Sequence, residues 1–149
     1  MKSSTRVIFI AMFILGAVNV SAAITHCGVW NESDRLTANV VATTAGDCII
    51  VGANGVQIDC NGFSITYDIF GQGNNSAINI TNKLNTNVTN CVIFQGNIST
   101  VQQGAANIVT TAINITESNF TNIRNVTFHV NGTSNVGTHY GIVLFNKTI

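Results

Sequence analysis

An all-β chain wound as a parallel solenoid is what this sequence predicts, and three observations predict it. The first is a repeat. Residues 77–81 read AINIT, and so do residues 112–116. The register then holds: Asn87-Val88 answers to Asn122-Ile123, Asn90 to Asn125 and Ile93 to Phe128, with offsets of 35 residues. A constant offset over several landmarks means one structural unit used twice, and periods of this length belong to stacked repeats. The second is alternation, apolar then polar, through Val56-Gln57-Ile58-Asp59-Cys60, Phe63-Ser64-Ile65-Thr66, Ile78-Asn79-Ile80 and Ile113-Asn114-Ile115, the period of a strand with one buried face. The third is punctuation by Asn and Gly, at Gly52, Gly55, Gly62, Gly71, Gly73, Gly96, Gly104, Gly132 and Gly137. An antiparallel sandwich also houses many short strands, but it gives no reason for repeat register. In a solenoid, equivalent residues sit one strand spacing apart, about 4.8 Å. Ile78, Ile80 and Val88 are then expected to point inward and stack on Ile113, Ile115 and Ile123. Asn79, Asn87 and Asn90 are expected to stack on Asn114, Asn122 and Asn125, as hydrogen-bonded ladders and at corners that need left-handed backbone.

Taken in order, the first element is a leader. Lys2 and Arg6 form a basic start, Val7 to Val18 is an apolar run, and Val20-Ser21-Ala22 supplies small residues for cleavage after Ala22 or Ala23. The run is shorter than the roughly 20 residues that span a bilayer. The domain boundaries are therefore 1–22 for a signal peptide and 23–149 for the β domain, with an uncleaved anchor as the alternative reading. A cap over Cys27 to Cys48 follows, then the alternating strands. Gln95 to Gly104 reads as the longest loop. Gly141-Ile142-Val143-Leu144 opens another turn of the solenoid, at a shorter interval from Ala112 than the one separating the two AINIT segments. The chain is expected to stop inside or just after a coil and to leave that end uncapped.

Composition excludes some function classes. Beyond residue 23, Arg35, Lys83, Arg124 and Lys147 stand against Glu32, Asp34, Asp47, Asp59, Asp68 and Glu117, four cations against six acids, a net charge of −2. No basic stripe remains to hold nucleic acid. After leader cleavage no apolar run is long enough to cross a membrane as a helix. Polarity comes from Asn, Ser and Thr instead. Beyond the leader, N-x-S/T sequons begin at Asn31, Asn74, Asn79, Asn87, Asn97, Asn114, Asn119, Asn125, Asn131 and Asn146. Chance pairing of 21 Asn with 27 Ser and Thr gives about four. The excess fits a glycosylated surface protein. It also fits Asn-rich alternating strands that read N-x-T for structural reasons. Cys27, Cys48, Cys60 and Cys91 are even in number and contain no C-x-x-C pair, which favours disulfides over zinc and leaves three connectivities open.

The segment Cys48 to Ile65, CIIVGANGVQIDCNGFSI, resembles the opening coils of right-handed parallel β-helix proteins. In those, a Cys-rich entry leads into an A-N-x-V-x-I-D-C-N-G-x-x-I coil. It is similar to the N-terminal β-helix segments of large secreted archaeal and bacterial surface proteins. The Asn-x-x-Asn stretches that follow resemble the repeat of the pectate-lyase-like superfamily and of periplasmic copper-maturation proteins. The resemblance covers Cys27 to Phe145. It implies a right-handed parallel β-helix of about four to five coils, and says little of activity, because this fold hosts many functions. Within such a helix, Cys60 and Cys91 lie about one coil apart. They either form a disulfide, leaving Cys27 and Cys48 to staple the cap, or remain stacked core thiols.

Catalytic machinery is thin. Enzymes of this group use clustered acids, or calcium with a basic residue, and glycosidases in general use two carboxylates. The candidates are Asp59, beside the Asn61-Gly62 turn, Asp68 in an expected loop, and Arg124; turn capping and solvation are the competing roles of the two acids. No D-x-D-x-D-G run marks a calcium site. No G-x-S-x-G element accompanies His26, His129 or His139, and His129 is expected to face outward. No catalytic residue, metal site or cofactor is assigned. Among aromatics, Phe94 and Phe128 are expected to stack inside; Tyr67 and Phe70, in the loop around Gly71-Gln72-Gly73, are the best candidates for an exposed sugar-stacking face, with core or loop anchoring the favoured role. The expected function is a secreted or cell-surface structural or binding module. Its expected partners are surface polysaccharide or further copies meeting at uncapped coil ends, not nucleic acid or membrane. The alternative is a carbohydrate-active enzyme, a polysaccharide lyase or hydrolase of the pectate-lyase-like group.

Overall fold

The fold is known from a computed structural model, which describes residues 25–69, 75–96, 109–129 and 138–145. The proposed leader, the 97–104 part of the expected long loop, and Phe70 lie outside these residues. Eleven strands and no helix are present among them: β1 (Gly28–Trp30), β2 (Asp34–Arg35), β3 (Val40–Val41), β4 (Ile49–Val51), β5 (Gln57–Asp59), β6 (Ser64–Tyr67), β7 (Ser76–Thr81), β8 (Asn87–Gln95), β9 (Val109–Thr116), β10 (Asn122–His129) and β11 (Thr138–Phe145). All the pairings between these strands are parallel.

The chain alternates between two sheets. One runs β1-β4-β7-β9-β11. In the other, β2 pairs with β5 and β3 with β6; β5 and β6 then share one edge of β8, and β10 takes the opposite edge. Each circuit therefore returns to a sheet one strand further along. Circuit length drifts. In the first sheet Gly28 faces Ile49, Ile49 faces Ile78, Ile78 faces Ile113 and Ile113 faces Ile142, so the first circuit is the shortest and the third the longest. The register of the repeat is the β7–β9 and β8–β10 pairing, and the Gly141 to Leu144 strand takes its place over β9 as expected.

One local device explains why β5 and β6 are separate while β8 is continuous. Asp59 lies opposite Thr89 and Ser64 opposite Val92, so five steps of chain match three. The two extra residues are taken up by the Asn61-Gly62 turn, both in left-handed backbone at φ 51° and 83°, which Asn and Gly tolerate best.

The core consists of columns running through the stack. Ile49, Ile78 and Ile113 form one and Val40, Ile65 and Ile93 another, all buried. Ile58 and Val88 form a third, continued by the half-buried Ile123. Each buried aliphatic side chain contributes about 1.5–3 kcal/mol. Two disulfides cross-link neighbouring strands. Cys27–Cys48 bridges the entries to β1 and β4, with Cα atoms 4.5 Å apart, and Cys60–Cys91 ties the end of β5 to β8, with Cα atoms 4.7 Å apart. Of the readings left open for Cys60 and Cys91, the bridge is the one observed.

Candidate functional site

The outward face of the second sheet carries the charged candidates. Register places Arg35, Asp59, Thr89 and Arg124 in one column across four strands. Asp59 is its centre. Arg35 donates to Asp59 Oδ2 from Nε at 3.0 Å and from Nη2 at 2.9 Å. The Asn61 amide and Asn90 Nδ2 each donate to Oδ1 at 2.9 Å. Asn125 Nδ2 then donates to Asn90 Oδ1 at 2.8 Å. The result is a ladder, Arg35–Asp59–Asn90–Asn125, linking β2, β5, β8 and β10. Asn90 and Asn125 hold left-handed backbone, at φ 56° and 52°. The hydrogen bond from Asn90 is the main cause holding the Asp59 carboxyl below its ordinary pKa. The Asn61 amide and Arg35 act the same way, and partial burial opposes them. Turn capping is thus the role Asp59 performs.

Asp68 does not join that column, and solvation is not its role. It is buried, in left-handed backbone at φ 53°, and accepts from Asn75 Nδ2 at 3.2 Å. It follows β6, whose last residue, Tyr67, faces Gln95; Asp59 faces Thr89, six positions back along β8. At about 3.3 Å per residue that places the two acids near opposite ends of the strand. Arg124 shares the Asp59 column two strands away, about 10 Å. The three candidates do not converge. Among the described residues no group of three or more His, Cys, Asp and Glu is placed to hold a metal.

Two aromatic expectations need correction. Tyr67 ends strand β6 rather than sitting in a loop, and it takes the favoured core-anchoring role: it is only 1% exposed, because it lies two residues from Ile65 and so shares its inward face. Its desolvation pushes the phenol pKa up to about 12, helped by the neighbouring Asp68 charge and opposed by a hydrogen bond with Thr110. Phe94 faces outward and stacks on His129, rings 4.5 Å apart and 12° from parallel. Phe128 lies over Ile93 instead. His129 is exposed as expected, and so is His26; for His139 only the strand position, opposite Thr110, is described.

The sequons divide. Asn74, Asn97, Asn131 and Asn146 lie outside the described residues. Asn79 and Asn114 are half-buried on paired strands. Asn79 Nδ2 donates to Asp47 Oδ2, and its Oδ1 accepts the Thr81 hydroxyl at 2.7 Å. Asn114 Oδ1 accepts Thr116 in the same way at 3.2 Å. Asn87 is half-buried opposite Gln57 and Asn122; Asn31 and Asn119 are exposed.

A hollow that the sequence did not reveal opens between the end of the first sheet and its flank, about 200 Å³. Asn75, Ser76, Thr111 and Asn114 supply amides and hydroxyls, and Tyr140 and Phe145 form an exposed aromatic rim. None of the residues lining it carries a formal charge. Its parts come from three strands and a connection, spread from Asn75 to Phe145 over nearly half the chain, so no local pattern announces it. Such a site can hold an uncharged, hydroxyl-rich ring by stacking and hydrogen bonding; it offers no general acid or base.

Comparison with family models, with curated proteins and with solved structures finds no match for this chain.

Proposed function

We propose that this chain is a secreted or cell-surface module, structural and binding in role, that winds as a right-handed parallel β-helix and engages neutral surface polysaccharide. The carrying observation is the uncharged hollow with its Tyr140 and Phe145 rim, beside outer faces whose best acid, Asp59, is committed to four hydrogen bonds. All-parallel circuits with stacked Ile columns support the β-helix, and the Cys48 to Ile65 pattern supports kinship with the pectate-lyase-like superfamily. The two disulfides suggest an oxidising compartment, consistent with export, and among the described residues no helix is long and apolar enough to cross a membrane. Further copies meeting at the last strands are the second partner expected.

Affinity measurement against neutral and acidic polysaccharides tests the reading. Binding should be confined to neutral chains and fall at least about tenfold in Tyr140→Ala, the loss of roughly 1.4 kcal/mol of stacking. Preference for acidic chains would sink it. The enzyme reading keeps one supporting observation, the shared column of Asp59 and Arg124. Chain cleavage that disappears in Asp59→Asn would favour it instead.

A further inference from the structure

The corner between β9 and β10 repeats the backbone of the corner between β7 and β8 with different residues. Left-handed backbone occurs at Asn82 and Asn85 in the earlier corner and, at the equivalent positions of the next circuit, at Glu117 and Phe120. Asn is at home there; a bulky aromatic at φ 57° is not. Phe120 is also 80% exposed, the most exposed large apolar residue described. It makes no contribution to the core and occupies a costly conformation, so its presence calls for a covering group. The residue before it, Asn119, is exposed and begins the sequon Asn119-Phe120-Thr121. The equivalent earlier tripeptide is Leu84-Asn85-Thr86, which is no sequon. The Asn119 backbone is pinned: its amide donates to Lys83 O at 3.0 Å, and its carbonyl accepts from Asn85 N at 3.1 Å. Two consecutive residues, Asn119 and Phe120, are thus exposed on a corner whose backbone is fixed.

We propose that Asn119 is an N-glycan acceptor and that the attached glycan covers Phe120, whereas Asn79 and Asn125 are structural amides that stay unmodified despite the same tripeptide context. The amide nitrogens of Asn79 and Asn125 are committed to Asp47 and Asn90, and Asn79 is half-buried as well. At Asn119 the step is group transfer from a lipid-linked diphosphate sugar donor. A bond forms between Nδ2 and the first sugar's anomeric carbon. The bond from that carbon to the donor's phosphate oxygen breaks, the lipid diphosphate leaves with the electron pair, and one amide proton goes to base. The apolar face of the first sugar then lies against Phe120.

This inference rests on the export part of the proposed function, so the test separates the two. The full chain is expressed in a cell that N-glycosylates exported proteins, once with its own leader and once with an added export leader. Glycans are released by an amidase in heavy-oxygen water, and peptides are weighed. Label at Asn119 and none at Asn79 or Asn125 is expected from the exported protein. Exported protein unlabelled at Asn119, or labelled at Asn79 or Asn125, overturns the proposal. Export only with the added leader, still labelled at Asn119, overturns native export and leaves the site standing. Deglycosylation should raise binding of an apolar-surface dye in the wild type and not in Phe120→Asn; an equal rise in both overturns the covering role.

Discussion

The interior strands and the last strands use the same residue types at the same repeat positions, with different outcomes. Ile113 and Ile142 face one another in register, yet the first is 0% and the second 41% exposed. Ile115 and Leu144 likewise stand at 4% and 71%. Nothing in the side chains differs enough to account for this. Burial in a stack is conferred by the strand above, so a position contributes apolar energy only when its successor is in place. The interior is also cross-linked, by Cys60–Cys91 and by the ladder on Asp59, while β11 presents an unpaired edge among the described residues.

The largest break in this contrast should come from the cross-link. Replacing Cys60 and Cys91 together with serine frees a 31-residue separation, and chain entropy assigns such a closure about 3–4 kcal/mol. The urea midpoint should fall accordingly; a loss under about 1 kcal/mol would mean that the bridge restrains little of the unfolded chain. Next come paired truncations. Ile113→Ala should cost about 3 kcal/mol as a buried cavity, and Ile142→Ala about 1 kcal/mol or less. Equal losses in denaturant melts would show that the last strands are as well covered as the interior.

Two titrations sharpen the contrast further. Asp59 has a depressed folded pKa, so its contribution is present above the unfolded carboxylate value of about 3.9 and is lost as pH falls through the folded value. Asp59→Asn should flatten the acid limb of the stability profile, and an unchanged limb would mean that the ladder bonds add no net stability. Tyr67 is the opposite case. Its contribution is complete below the unfolded value of about 10 and is lost as pH rises toward about 12. Tyr67→Phe should remove stability loss over that alkaline range, checked by melting temperature against pH. The smallest effect is expected at the end of the ladder. Asn125→Gly tolerates the left-handed backbone at φ 52° and deletes one exposed hydrogen bond, about 0.5–1 kcal/mol, and a much larger loss would show coupling down the column.

Much of the fold is legible in the sequence because the repeat is in register. Ile78 with Ile113, Val88 with Ile123, and Asn90 with Asn125 can be matched by counting, since a parallel pairing at fixed offset turns sequence distance into spatial neighbourhood. The misses have physical causes. Chemical likeness pairs Phe94 with Phe128, one position short of the repeat offset; the true partner is His129, and a slip of one position reverses the face of a strand. Tyr67 shares parity with Ile65, but the glycines that follow suggest a loop. Asp68 is buried against Asn75, which arrives only after residues 70–74. The hollow is invisible in the sequence because it depends on which strand ends meet.

The ladder on Asp59 has a direction. Amides above it donate downward, from Asn125 to Asn90 and from Asn90 to Asp59, while Arg35 donates upward from below. Two opposing chains of donors can meet only at a group that accepts from both sides, which a carboxylate does and an amide, with two hydrogens of its own to place, does less well. The single acid in the column is therefore a point where polarity reverses. Every residue added beyond Asn125 in the same sense must donate, so an Asn, Gln or Ser extends the ladder, an Arg closes it because it cannot accept in turn, and an ionised Asp or Glu cannot join it. The column carries a rule of composition for any strand laid upon it, written in the direction of its hydrogen bonds.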